Sequence, residues 1–126
     1  MKNTDKVTIS SGGAFESVFG YSRAVKAGNH LHISGTCASP DYEHNDAYQQ
    51  TVAILKTISE VVAKAEMQMS DVVRTVVYVR DINDAQLVAK AHLETFGDIR
   101  PASTLVQVDS MLRTWQRVEI ETYAIS

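Results

Sequence analysis

Cysteine is almost missing from this chain of 126 residues: Cys37 stands alone. No internal disulfide can staple such a fold, and no neighbour lies at metal-finger spacing. The expectation is a reducing compartment and a cytoplasmic location. Long apolar runs are missing as well. Nothing approaches the roughly 20 apolar residues that cross a bilayer, and no basic stretch leads into an apolar core as in a secretory leader. No membrane partner is expected. Positive charge is not in excess either: 12 Lys and Arg face 15 Asp and Glu, a net charge of -3. The basic residues are scattered, which argues against nucleic acid as a partner.

What is present is an ordinary globular composition, 44% hydrophobic and 21% charged. A chain of this length can bury about two-thirds of its unfolded surface, so residues 1-126 are expected to form one domain. The first 20 residues are polar and Gly-rich, with Val7-Thr-Ile9 a short edge strand before Ser10-Ser-Gly-Gly13; this part reads as loosely held. Tyr21-Lys26 and His30-Ser34 flank Ala27-Gly-Asn29 and read as a β-hairpin. In its second strand Leu31 and Ile33 share the core face, His30, His32 and Ser34 share the other, and Gly35 ends the strand.

Past a polar loop the period changes. Val52, Leu55, Ile58, Val62 and Ala65 recur at steps of three and four, which predicts a helix from Asp46 to about Ala65, capped by Asp46 or Asn45. Ser70-Val79 is so rich in β-branched residues that a central strand follows, starting near Val72 or Val73. Asp84 caps a second helix, Ala85 to Phe96, and Gly97 stops it. Leu105-Val108 is a strand introduced by Pro101, and Val118-Ala124 another. The order β-β-α-β-α-β-β predicts an α+β arrangement, a mixed sheet with two helices on one face. The central strand is apolar on both sides, Val73, Thr75, Val77 and Val79 on one and Val76 and Tyr78 on the other. Two helices cover one face, so the other predicts a homo-oligomeric interface.

The last strand alternates strictly. Val118, Ile120, Thr122 and Ala124 take one face; Glu119, Glu121 and Tyr123 take the other. Two carboxylates therefore project side by side, roughly 6 to 7 Å apart by strand rise. They form solvated or interface ion pairs, or one of them meets a ligand as a base with a raised pKa. His30 and His32 have a spacing that some metal sites use, but no third ligand is in view, so no metal is expected. Cys37 reads as an ordinary thiol, and Trp115 as packing or subunit contact.

Taken together, Tyr21-Ser-Arg-Ala-Val-Lys-Ala-Gly-Asn29, Ile33-Ser-Gly-Thr36, Asp71-Val79, Pro101-Ala-Ser-Thr104 and Val118-Glu-Ile-Glu-Thr-Tyr-Ala124 resemble the Rid family of reactive-intermediate deaminases, also called the YjgF family. The likeness runs from about residue 18 to the C-terminus. It implies a chorismate-mutase-like α+β fold and a homotrimer with a small-molecule cleft at each subunit boundary. It also implies cofactor-free hydrolysis of enamines and imines to 2-oxo acids and ammonia.

The resemblance further implies a site built from Tyr21, Gly35, Ser103, Leu105 and Glu119. Glu119 directs water, Tyr21 contacts the ligand, and Gly35 and Leu105 act through main chain. One position departs from the pattern: active relatives carry an arginine after Pro-Ala, where this chain has Ser103. A guanidinium grips a carboxylate by two bonds, whereas a hydroxyl donates one and carries no charge. Amino-acid-derived imines are therefore expected to be poor substrates. Arg100 could replace the lost charge only if the chain bends ahead of the strand; Arg23 is a second candidate. The competing expectation is a trimer that binds ligand, or acts as a chaperone, without the reaction. A nuclease or translation inhibitor has no support in the charge balance.

Overall fold

The computed structural model describes residues 6-126. Its strands are β1 (Lys6–Ile9), β2 (Ala24–Ala27), β3 (His30–Thr36), β4 (Val72–Val79), β5 (Ala102–Gln107) and β6 (Val118–Ile125); its helices are α1 (Ala14–Phe19), α2 (Ala47–Lys64) and α3 (Ala85–Phe96). All six strands form one sheet in the order β1-β2-β3-β6-β4-β5. Neighbours are antiparallel except β4 and β5, which are parallel and joined over the sheet by α3, as a parallel pair requires. The arrangement is the expected α+β one, with α2 and α3 layered on one face.

The alternation of β6 explains why the layers form. Val118, Ile120, Thr122 and Ala124 are at most 1% exposed. With Leu31 and Ile33 of β3 and Val77 and Val79 of β4 they face Ile54, Ile58 and Val62 of α2. α2 starts at a capping box in which Asp46 accepts from the Gln49 amide at 2.9 Å and the Gln49 side chain accepts from the Asp46 amide at 3.3 Å. Such a cap contributes about 0.5-2 kcal/mol.

Several expectations are corrected. The segment read as loosely held contains α1, pinned by Glu16, which accepts from Ser10 and twice from Ser11. Six residues are too few for periodicity to declare a helix. The hairpin's first strand begins at Ala24 rather than Tyr21, and β3 does not stop at Gly35 but runs to Thr36 through a register shift. Val52 is exposed and Ile54 and Val61 take the buried stripe, because α2 turns its apolar face slightly from the 52-55-58 line. Val73 leaves the core face: a bulge between Val72 and Arg74 inserts one residue and reverses the alternation ahead of it. The strand after Pro101 covers 102-107 rather than 105-108.

One polar group ties helix to sheet. Gln50 is fully buried; its amide donates to the Tyr42 carbonyl at 3.1 Å and the Trp115 carbonyl at 3.0 Å, and its oxygen accepts from the Arg117 amide at 3.0 Å. Arg80 pins the same loop, donating to the Gln116 and Arg113 carbonyls, each at 2.7 Å. The segment between β5 and β6 is thereby held against the end of the sheet. Gln50→Leu keeps the volume but strips these backbone groups of their partners, and should cost about 2-4 kcal/mol in urea unfolding. A loss below ~0.5 kcal/mol would show that the loop is held otherwise.

Candidate active site

Cross-strand partners share a face, so the register sorts every candidate side chain. Glu119 lies opposite Tyr78, Glu121 opposite Val76 and Tyr123 opposite both Arg74 and His32, all on the face turned away from α2 and α3. Ser103 lies beside Thr75 and Leu105 beside Val77, on the helix face. The predicted site residues therefore divide into two groups on opposite sides of one sheet, with β4 between the strands that carry Glu119 and Ser103.

On the open face, Tyr21, Gly35 and Glu119 line one cavity of about 480 Å³. α1 walls it: Phe15 and Phe19 stack at 5.8 Å, and Tyr21 meets each edge-on at 6.3 and 5.9 Å. Leu112, from the loop braced by Gln50 and Arg80, closes another side, and the His32 ring packs edge-on against Tyr123 at 5.4 Å. No sequence signal announced Phe15, Phe19 or Leu112, since α1 is short and Leu112 sits in a loop.

The two carboxylates are not equivalent. Glu121 accepts from the Tyr78 hydroxyl at 2.6 Å and the Tyr123 hydroxyl at 2.5 Å, and the bond to Glu121 pushes the Tyr78 phenol up to about 12. Glu119 accepts no hydrogen bond from the described residues. Burial raises its pKa, offset in part by the Arg23 charge and reinforced by Glu121. A half-buried carboxylate with free lone pairs is suited to take a proton from water; one saturated by two phenols is not.

Gly35 acts through size. A Cβ there would stand 2.6 Å from Glu119 Oε2 and 3.0 Å from its carboxyl carbon. Its carbonyl is occupied by the Arg23 guanidinium at 2.6 Å, so Arg23 braces the strand beneath Glu119 and does not stand free in the cavity. Burial pushes the Cys37 thiol up, which leaves it an inert neighbour. Trp115 donates its indole N–H to the Ala38 carbonyl at 3.1 Å, a packing role.

On the helix face, Ser103, Leu105 and Arg100 line a second cavity, of about 440 Å³, between α3 and β5. The Ser103 hydroxyl is 2.7 Å from Thr75 Oγ1, which is 2.9 Å from His92 Nε2. His92, read in the sequence only as a helix residue, thus joins the site through Thr75, and burial lowers its pKa. Among the described residues no three His, Cys, Asp or Glu side chains cluster to hold a metal.

The fold and its cavities define a small α+β protein with a mixed sheet, the two long helices α2 and α3 on one face, and a ligand-sized hollow on each side. The chain belongs to the YjgF/RutC family, the family read above as Rid. The family model described as endoribonuclease L-PSP matches residues 12–126. An uncharacterized protein of Streptomyces coelicolor is 34% identical over 120 residues, 91% of this chain and 90% of its own. A RutC family protein of Pyrococcus horikoshii is 33% identical over 82% of this chain and 85% of its own. The crystal structure of Rv2704 from Mycobacterium tuberculosis, a YjgF/YER057c/UK114 family member, superposes with a TM-score of 0.90 at 38% identity, covering 96% of this chain and 99% of that one. Among the described residues no helix is long and apolar enough to cross a membrane.

Two outcomes follow from the open-face geometry. Because the folded Glu119 holds its proton to higher pH than the unfolded chain does, stability falls as pH rises from about 4.5 through the raised value. Glu119→Gln removes that loss, so melting curves should show a gain at pH 7 that disappears at pH 4; an equal gain at both would assign it to another cause. Gly35→Ala displaces the mobile end of Glu119 rather than backbone, so the fold should lose no more than about 1 kcal/mol while the site is disturbed. Crystals of the variant with Glu119 unmoved would contradict this.

Proposed function

We propose that the protein is a cofactor-free enamine/imine deaminase that works as a homotrimer, with its reaction sites at the boundaries between copies. The observation that carries this reading is Glu119: half-buried, unbonded, raised in pKa and facing a hollow with Tyr21. The hollow with Glu119 and that with Ser103 lie on opposite faces, so no single chain can present both to one ligand. Apposition of a second copy can, and the open sheet face, with Val76, Tyr78, Tyr123 and exposed Val106, is suited to be covered by one.

In the reaction a protonated imine, R₂C=NH₂⁺, and water give R₂C=O and NH₄⁺. The Glu119 carboxylate takes a proton from water as the oxygen attacks the C=N carbon. The carbinolamine then collapses: the proton on Glu119 passes to nitrogen, the C–N bond breaks as the carbonyl forms, and the hydroxyl proton is carried by Glu119 to the departing ammonia, which leaves as NH₄⁺. A raised carboxylate pKa serves both directions of proton movement. Two carboxylates in the open-face hollow repel phosphate, so the nuclease name of the family model finds no matching chemistry there. Ser103 supports a competing reading, a trimer that binds ligand without the reaction, because its hydroxyl is already engaged by Thr75.

The test is imine turnover by purified protein, with imines generated by an amino-acid or amine oxidase and the residual imine trapped chemically. Glu119→Gln should lower kcat/KM about 10²-10⁴-fold, and the wild-type rate should fall on acidification through a pKa above the ordinary carboxylate range. Unchanged turnover in the Gln variant would remove Glu119 from the reaction. A monomeric mass in sedimentation at micromolar protein would remove the shared site.

A further inference from the structure

The open-face hollow is one-sided in charge. It adjoins a second hollow of about 380 Å³ on the same face, and the two share Gly35, Leu112, Glu119 and Glu121. Among the described residues no Lys or Arg lines either one, so the two glutamates meet a ligand with no cation beside them. The nearby guanidinium groups are engaged elsewhere. Arg23 donates to the Gly35 carbonyl at 2.6 Å, and Arg113 lies over the Phe15 ring, 5.5 Å from guanidinium carbon to ring centroid. Arg100 lines the cavity on the reverse of the sheet, where its Nε donates to the Gly97 carbonyl at 2.6 Å.

The two glutamates suit a cation in complementary ways. Glu121 holds a phenol on each oxygen, Tyr78 at 2.6 Å and Tyr123 at 2.5 Å, which fixes its charge in place on the sheet. Glu119 has its lone pairs free and can accept an N–H. Two carboxylates on neighbouring same-face positions repel each other, and a cation set against them relieves that repulsion. The wall is of the opposite kind. Phe15, Phe19 and Tyr21 form a cluster of three rings, with Val25 and Leu112 completing an apolar surface. A volume of about 480 Å³ lies in the range of small-molecule pockets and has room for one ring on a short arm.

We infer that the open-face hollow selects a cationic imine that carries no carboxylate, RCH=NH₂⁺ with R an arylalkyl or alkyl group, its nitrogen facing Glu119 and Glu121 and R lying against Phe15, Phe19 and Tyr21. A 2-imino acid brings a third carboxylate into a space that already has two, and the like charges repel with no cation lining the hollow to offset them. The inference names the substrate class of the proposed deaminase site and rests on that reading for the fate of the ligand, but not for its binding. It also assigns the reaction upstream. A primary amine, RCH₂NH₃⁺, becomes RCH=NH₂⁺ by giving two electrons and two protons to the flavin or quinone of an amine-oxidising enzyme. Water then converts RCH=NH₂⁺ to RCHO and NH₄⁺ here.

The experiment is calorimetric binding of four stable probes at pH 7 to wild type, Glu119→Gln and Glu121→Gln. Phenylalanine differs from 2-phenylethylamine only by its carboxylate, 2-phenylethanol by a hydroxyl in place of the ammonium, and ethylamine by the missing ring. Wild type should bind 2-phenylethylamine, and each of the other three about tenfold or more weakly. Each Gln variant should weaken the amine by about threefold or more while changing the alcohol less than about twofold, with melting curves showing that the variants are folded. Phenylalanine, the alcohol or ethylamine binding as tightly as the amine, no binding of the amine to wild type, or amine binding unchanged in either Gln variant overturns the inference. Turnover is measured separately on the imines that a flavin amine oxidase makes from 2-phenylethylamine and an amino-acid oxidase makes from phenylalanine. Amine-selective binding with turnover of neither imine sinks the deaminase reading alone, and turnover of the amino-acid imine at an equal or greater kcat/KM sinks this inference alone.

Discussion

Taking a carboxylate partly out of water and giving it no hydrogen bond is unfavourable, and the chain does this at Glu119. Much of the surrounding structure maintains that state. β6 runs through the middle of the sheet, so its even residues are sealed by α2 while its odd residues, Glu119 among them, are carried on a rigid surface. Gly35 on β3 leaves the volume in which the carboxylate rests, and Arg23 holds the Gly35 carbonyl while partly offsetting the burial. The phenols of Tyr78 and Tyr123 occupy Glu121 and not Glu119. Adjacent carboxylates of one strand are thereby given different chemistry by their neighbours alone.

The second cavity is organised on the opposite principle. Apart from Arg100 at its rim, its polar groups satisfy one another, and the buried Thr75 hydroxyl joins a serine on β5 to a histidine on α3. Parallel pairing of β4 with β5 sets this geometry, because it brings Ser103 level with Thr75 on the face that α3 crosses. The crossover helix then places His92 above both. A cation at the rim follows from a single backbone feature, the left-handed Arg100 that closes the end of α3. Glu66, just past the end of α2, adopts the same conformation, so the turn itself is an ordinary helix ending. The particular consequence here is where the side chain is sent.

Residue patterns alone determined the order of the main strands and helices, the buried face of β6, the cap at Asp46 and the surplus apolar face of β4. Periods of 2 and about 3.6 are local properties that the chain must satisfy wherever it buries one side. The motifs likewise brought Tyr21, Gly35 and Glu119 together, and the structure places all three around one hollow. Tertiary structure alone decided what depends on register and on short irregular segments: α1 and its aromatic wall, the bulge that turns Val73 outward, and the two phenols that bond Glu121 rather than Glu119. It also decided that Ser103 and Leu105 lie on the reverse of the sheet from Glu119, and that Arg100 joins them. A register or a left-handed turn couples residues far apart in the chain through backbone geometry, and that coupling leaves no periodic trace in the order of side chains.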